Sequence, residues 1–131
     1  MNKYGGCVVM GFSIDDSRPI YMQIAERIEN DIIQEQLPEE SQVPSTNQFA
    51  SFYLINPATA AKGVNLLVDQ EILYKKRGIG MFVASGSRMK LMEKRREQFF
   101  EQYVVTMIRE AEKLGITAEE LTNMIRRGDK S

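Results

Sequence analysis

The stretch that decides the fold is Pro44 to Ala84, PSTNQFASFYLINPATAAKGVNLLVDQEILYKKRGIGMFVA. Ser45 and Gln48 stand at capping-box spacing, where the hydroxyl accepts from a free backbone N–H and the amide reaches back to another. Phe49, Ala50 and Phe52 or Tyr53 supply one apolar side, which predicts a short helix ending near Leu54. Asn56-Pro57 opens the next helix: Asn is a strong N-cap, and proline at the following position has no N–H to leave unsatisfied. Ala60, Val64, Leu67 and Val68 continue it at helical spacing to about Gln70. Only a tight turn fits between the two helices. Ile72 to Lys76 and Met81 to Ala84 are then two β-prone runs flanking Arg77-Gly78-Ile79-Gly80, a hairpin signature in which the glycines supply backbone freedom.

Upstream, Phe12-Ser13-Ile14 alternates like a short edge strand. Asp15-Asp16-Ser17 leads to Pro19, which suits the first turn of a helix. Ile20, Ile24, Ile28 and Ile32 follow at every fourth position, widened by Tyr21, Ala25 and Ile33. This predicts an amphipathic helix with one buried face and an acidic outer face, ended by Pro38.

Downstream, Ser85-Gly86-Ser87 reads as a hinge. Met89, Met92, Phe99, Tyr103, Met107, Ala111 and Leu114 then share one drifting face, with Val104 and Ile108 beside them. They predict a single helix from about 88 to 114, roughly 40 Å long at 1.5 Å per residue. Gly115 ends it. Thr117 and Glu120 form another capping box for a last helix over 118–127, which stops at Gly128.

Composition removes much chemistry. The chain has 131 residues, no His and one Cys. A Ser-His-Asp triad, a Cys-His pair, a His-ligated metal, an intramolecular disulfide and a multi-Cys zinc site are all excluded. Arg77-Gly78-Ile79-Gly80 lies in a hairpin and does not open a helix, so it is a poor nucleotide-binding loop. The expectation is a non-enzyme with no cofactor. No run approaches the ~18 apolar residues of a membrane span. The apolar stretch from Cys7 to Ile14 is short and has no convincing cleavage site. A cytoplasmic location follows, and lone Cys7 suits a reducing compartment.

The 17 Lys+Arg nearly cancel the 18 Asp+Glu, but they are not evenly spread. Residues 15–40 hold eight acids and two bases, a net of −6. Residues 75–96 hold eight bases and one acid, a net of +7. The average conceals a polarised molecule whose basic pole begins at the predicted hairpin.

Helix, helix, tight turn, helix, hairpin is the order of a winged helix-turn-helix, a mainly α (α+β) fold. Such a fold places its third helix in the DNA major groove and its hairpin, the wing, alongside. The N-terminus of that helix favours a phosphate, and its exposed first turns present short side chains to base edges. Lys75, Lys76 and Arg77 offer phosphate or minor-groove contacts. The long tail helix has no core of its own to bury its Met and aromatic stripe. Pairing with a second subunit through Met92, Phe99, Tyr103, Met107 and Leu114 is the simplest solution, and it suits a two-fold DNA reader. A pocket for an unidentified small-molecule effector, between tail and winged domain, stays open beside it.

Taken together, Pro19-Ile20-Tyr21-Met22-Gln23-Ile24, Val43-Pro44-Ser45 with Ala50, then Asn56, Thr59 and Lys62, then Arg77-Gly78-Ile79-Gly80 with Phe82-Val83, resemble the DNA-binding domain of the GntR family of bacterial transcription regulators. The resemblance covers residues 12–84, and the short helical tail is similar to that of the YtrA subfamily. It implies a chain starting just before Phe12–Asp15, so Met10 is a candidate start and residues 1–11 an extra or poorly ordered N-terminus. It implies a winged domain over 12–84, a hinge over 85–87 and a helical dimerisation tail over 88–131. The family's DNA contacts transfer onto Ser45, Asn56, Thr59, Lys62, Arg77, Gly78 and Gly80, and the basic run of the wing adds Lys75 and Lys76 as DNA-contact candidates. They do not transfer onto Asn47, Pro57 or Ala61, where relatives often carry Arg. The implied function is a sequence-specific DNA-binding regulator: a homodimeric repressor of its own operon and a linked transporter, bound to a double-stranded operator. The rival reading is a winged-helix protein-interaction module that binds no DNA.

Overall fold

The structure is a computed structural model that describes residues 17–129. The expected Phe12–Ile14 strand, Cys7 and Met10 lie outside the described residues. The described chain divides into two compact units, one running to Met92 and one from Glu93.

The first unit begins with α1 (Ile20–Ile33), whose opening N–H groups at Met22 and Gln23 donate to the Pro19 carbonyl. Ile24, Ile28 and Ile32 are buried, as their spacing predicts. The acidic outer face needs correction, because Glu29 and Asp31 are buried too. A buried carboxylate is tolerated when a cation accompanies it. Arg27, one turn before Asp31 and also buried, brings its Nε to 3.5 Å from the carboxylate.

α2 (Thr46–Tyr53) carries the predicted capping box: Gln48 N–H donates to Ser45 Oγ at 3.1 Å, and Ser45 N–H donates to Gln48 Oε1 at 2.7 Å. It stops at Leu54, which takes a left-handed conformation with φ +55°. α3 (Pro57–Asp69) starts on Asn56, whose Oδ1 accepts from Ala58 N–H at 2.7 Å. Ala60, Val64 and Leu67 of α3 join Phe49 and the α1 isoleucines in one core. Gly63 permits the crossing of α1 and α3: a β-carbon there would lie 2.6 Å from the Tyr21 carbonyl oxygen and 3.1 Å from Ile24 Cβ.

The sheet has three antiparallel strands rather than the two of the predicted hairpin. β2 (Leu73–Lys76) and β3 (Gly80–Val83) form the wing, with Tyr74 opposite Phe82 and Lys75 opposite Met81. β1 (Gln42–Val43) adds to the other edge of β3, giving the order β1-β3-β2. Two residues are too short a run to show alternation. Val43, Leu73 and Val83 enter the core from the sheet.

Residues 85–87 form a turn into α4 (Ser87–Phe99), with Gly86 at φ +82°. Ser87 is buried, and its hydroxyl donates to the Ile72 carbonyl at 2.7 Å. Leu91 belongs to the winged core, so the compact units divide beyond these first turns.

In the second unit, the single long α-helix predicted over 88–114 is interrupted. α4 passes at Phe99 into a π-helical turn, Phe100–Val104, before α5 (Val105–Lys113) resumes. The helical pattern continues through the turn, so apolar spacing alone does not reveal the extra residue such a turn accommodates. Gly115, at φ +69°, follows the end of α5. Thr117 and Glu120 form the expected reciprocal cap at the start of α6 (Ala118–Asp129), which runs through Gly128 instead of stopping there. No helix among the described residues is long and apolar enough to cross a membrane.

Candidate nucleic-acid interface

A groove of about 900 Å³ runs between the start of α2 and the wing. Ser45, Thr46, Asn47 and Gln48 line one wall, and Lys75 and Gly80 line the other. Among the residues singled out from sequence, the structure thus brings Ser45, Lys75 and Gly80 to one surface. The Ser45 hydroxyl accepts within its own cap, and a hydroxyl that accepts still has a hydrogen to donate. The capped start of α2 borders this groove, and the positive end of a helix dipole is a favourable setting for an anion.

The three basic wing residues behave differently from one another. Strand alternation sends Lys75 and Lys76 to opposite faces of the hairpin. Lys75 borders the groove opposite Met81. Lys76 Nζ lies 4.5 Å from the Phe82 ring centroid and 5.9 Å from that of Tyr74. These two rings stack at 5.9 Å, and the Tyr74 hydroxyl donates to Glu40, which raises its pKa. Arg77 and Gly78 stand exposed at the tip, with Gly78 at φ +78°.

The side of Gly80 that a β-carbon would occupy is taken by Gln42, whose Nε2 would be 2.6 Å from it. The same Nε2 donates to the Ile79 carbonyl at 3.1 Å, tying β1 to the wing turn. Nothing in the sequence marks Gln42 for this task, because the contact depends on β1 pairing with β3.

At α3, Asn56 is exposed and caps the helix, while Thr59 is half-buried. Lys62 is exposed, but its Nζ sits 4.1 Å from the Tyr21 ring centroid, a cation–π contact with α1. Further along the basic segment, Arg88 Nε donates to the Ile33 carbonyl at 2.9 Å and lies 3.6 Å from Glu35. Lys90 Nζ donates to the Gln70 carbonyl and lies 3.7 Å from Glu71. Part of the +7 segment is therefore engaged within the winged unit itself, at the first turns of α4.

In the tail unit, Phe99 and Tyr103 keep ring contact at 5.5 Å while remaining 58% and 63% exposed. Met107 and Leu114 line an apolar trough of about 430 Å³ between α5 and α6, together with Ala111, Leu121 and Met124. Met92 falls in the other compact unit. The aromatic Phe100, 52% exposed at the π-helical turn, was not singled out from sequence.

A three-helix core, a wing and a polar groove between α2 and the wing define a winged-helix DNA reader. Comparison with known proteins narrows the class. The sequence profile of bacterial regulatory proteins of the gntR family matches residues 20–83, which run from α1 through β3. A Bacteroides thetaiotaomicron protein placed in the GntR family of transcriptional regulators is 39% identical, with a TM-score of 0.71 over 85% of this chain and 96% of its own. The HTH-type transcriptional repressor YtrA of Bacillus subtilis (strain 168) is 26% identical over 110 residues, 84% of each chain. The DNA-binding domain of AraR, solved in complex with operator ORX1, is 30% identical over 56% of this chain and 92% of its own, with a TM-score of 0.51. The chain belongs to the GntR family of bacterial transcription regulators, and its function is DNA-binding transcriptional regulation. These comparisons give the protein-interaction reading no support.

Proposed function

We propose that the protein is a cytoplasmic, homodimeric repressor that binds a double-stranded operator in front of its own operon and acts on a linked transporter. The observation that carries the DNA contacts is the groove shared by Ser45, Lys75 and Gly80, on a chain whose winged unit matches the family profile. Ser45 and Lys75 bind phosphates flanking the major groove. Asn56, Thr59 and Lys62 approach from α3, and Lys76, Arg77 and Gly78 from the wing. Repression is supported by the likeness to YtrA, itself described as a repressor. Dimerisation through Met92, Phe99, Tyr103, Met107 and Leu114 is supported by the exposure of Phe99, Tyr103 and Leu114, which a second copy would cover.

The test is binding of the full chain to the DNA upstream of its own gene. Neutralising about six to eight phosphates per dimer implies a loss of roughly 10³ or more in affinity between 50 and 200 mM salt. A Lys75/Lys76/Arg77 triple-alanine variant should lose both the affinity and much of that slope. Sedimentation should give a dimer that Phe99→Glu with Tyr103→Glu converts to monomer. Absence of specific binding at low salt overturns the operator reading, and lower reporter expression on deleting the gene overturns repression.

A further inference from the structure

α3 turns Ala60, Gly63, Val64 and Leu67 inward. At 100° per residue, the opposite face of its first two and a half turns carries Ala58, Ala61, Lys62 and Asn65. Ala58, Lys62 and Asn65 are exposed and Ala61 is half-buried. Lys62 is drawn back onto the Tyr21 ring at 4.1 Å, which holds its ammonium beside α1. Beside the N-cap Asn56, the half-buried Thr59 and a Lys62 left to phosphates, what this face offers to base edges is two methyl groups and one carboxamide. Each has a match in the major groove. A methyl packs against the C5-methyl of thymine, and a carboxamide pairs bidentately with adenine N6 and N7. Guanine presents two acceptors, O6 and N7, and is read by two donors on one side chain, for which this face has no guanidinium.

We propose that the operator positions facing Ala58, Ala61 and Asn65 are A·T pairs, read through thymine methyls and the adenine major-groove edge. This rests on α3 being the helix that enters the major groove. Asn65 is then a specificity-determining residue, and the two alanines are readers rather than gaps left by missing arginines.

The test is selection of binding sites by the full chain from a random duplex pool, followed by base-analogue substitution in the enriched sites. Enriched half-sites should share A·T pairs at the α3-facing positions. Replacing each contacted thymine by uracil removes only the methyl and should weaken binding about fourfold, as expected for one buried methyl. Asn65→Ala should relax preference at one adenine. Ala61→Arg should bring guanine into the selected site. G·C pairs at these positions, or indifference to uracil, overturns the proposal while leaving a sequence-specific regulator in place. Salt-sensitive binding without enrichment overturns base reading altogether. No binding at low salt overturns the DNA-reading function on which it rests.

Discussion

The side-chain amide of Gln42 stands where a side chain on Gly80 would have to go: a β-carbon there would meet Gln42 Nε2 at 2.6 Å. Gly80 also holds φ at +143°, a conformation that residues with a β-carbon rarely adopt. The wing turn is thus fixed from two sides, by its own backbone and by a latch from β1 to the Ile79 carbonyl. Gly80→Ala should cost about 1–3 kcal/mol in backbone strain and displace the latch. Duplex affinity should fall by about tenfold, equivalent to ~1.4 kcal/mol, in fluorescence anisotropy. Adding Gln42→Ala should restore part of that loss by removing the clash. Equal affinity in wild type and both single variants would mean that wing position does not control binding.

Gly63 sets the approach of α1 to α3. Gly63→Ala gains roughly 1 kcal/mol of helix propensity. It also forces a methyl to 2.6 Å from the Tyr21 backbone oxygen, which cannot rotate away. Overpacking of this kind costs about 1–3 kcal/mol. The expected net result is destabilisation, seen as a lower urea midpoint at unchanged m. A variant as stable as the wild type would show that the helices separate without penalty.

Leu54 spends its side chain on solvent, at 91% exposure, while holding φ +55°. A non-glycine residue there pays about 1–2 kcal/mol for the left-handed conformation. Leu54→Gly removes that strain but adds unfolded-state entropy worth about 0.5–1 kcal/mol. Thermal unfolding should show a gain of up to about 1.5 kcal/mol. A clear loss would reveal a packing role for the leucine.

Tyr53 supplies a pH dependence. Burial pushes its phenol up to about 12 from the ordinary 10, with Arg27 opposing and Asp31 adding to the shift. The folded state keeps a proton that the unfolded chain releases. Its contribution to stability is therefore complete below pH 10 and is lost as pH rises from 10 towards about 12. Denaturant midpoints across that window should fall more steeply for the wild type than for Tyr53→Phe. Parallel curves would assign the alkaline loss to other groups.

Much of this molecule was legible in residue spacing. The capping boxes at Ser45–Gln48 and Thr117–Glu120, the Asn56 cap and the four-residue isoleucine period all depend on contacts within a turn or two. Such contacts are local, so the sequence states them directly. The same locality made the wing visible through Gly78, Gly80 and two β-prone runs.

The rest was decided by what folding brings from elsewhere in the chain. Gln42 meets Gly80 because β1 pairs with β3, Lys62 meets Tyr21 because α3 crosses α1, and Arg88 reaches the Ile33 carbonyl. The burial of Glu29, and of Asp31 beside Arg27 one turn earlier, was likewise not legible, because helical spacing placed both acids on the predicted outer face. Sequence by itself determined the order of elements, their caps and the polarity of charge, because neighbouring residues set these. Tertiary structure alone decided which cations stay available to DNA. A cation's availability depends on which ring, carbonyl or carboxylate folding places beside it, and no spacing rule encodes that across the chain.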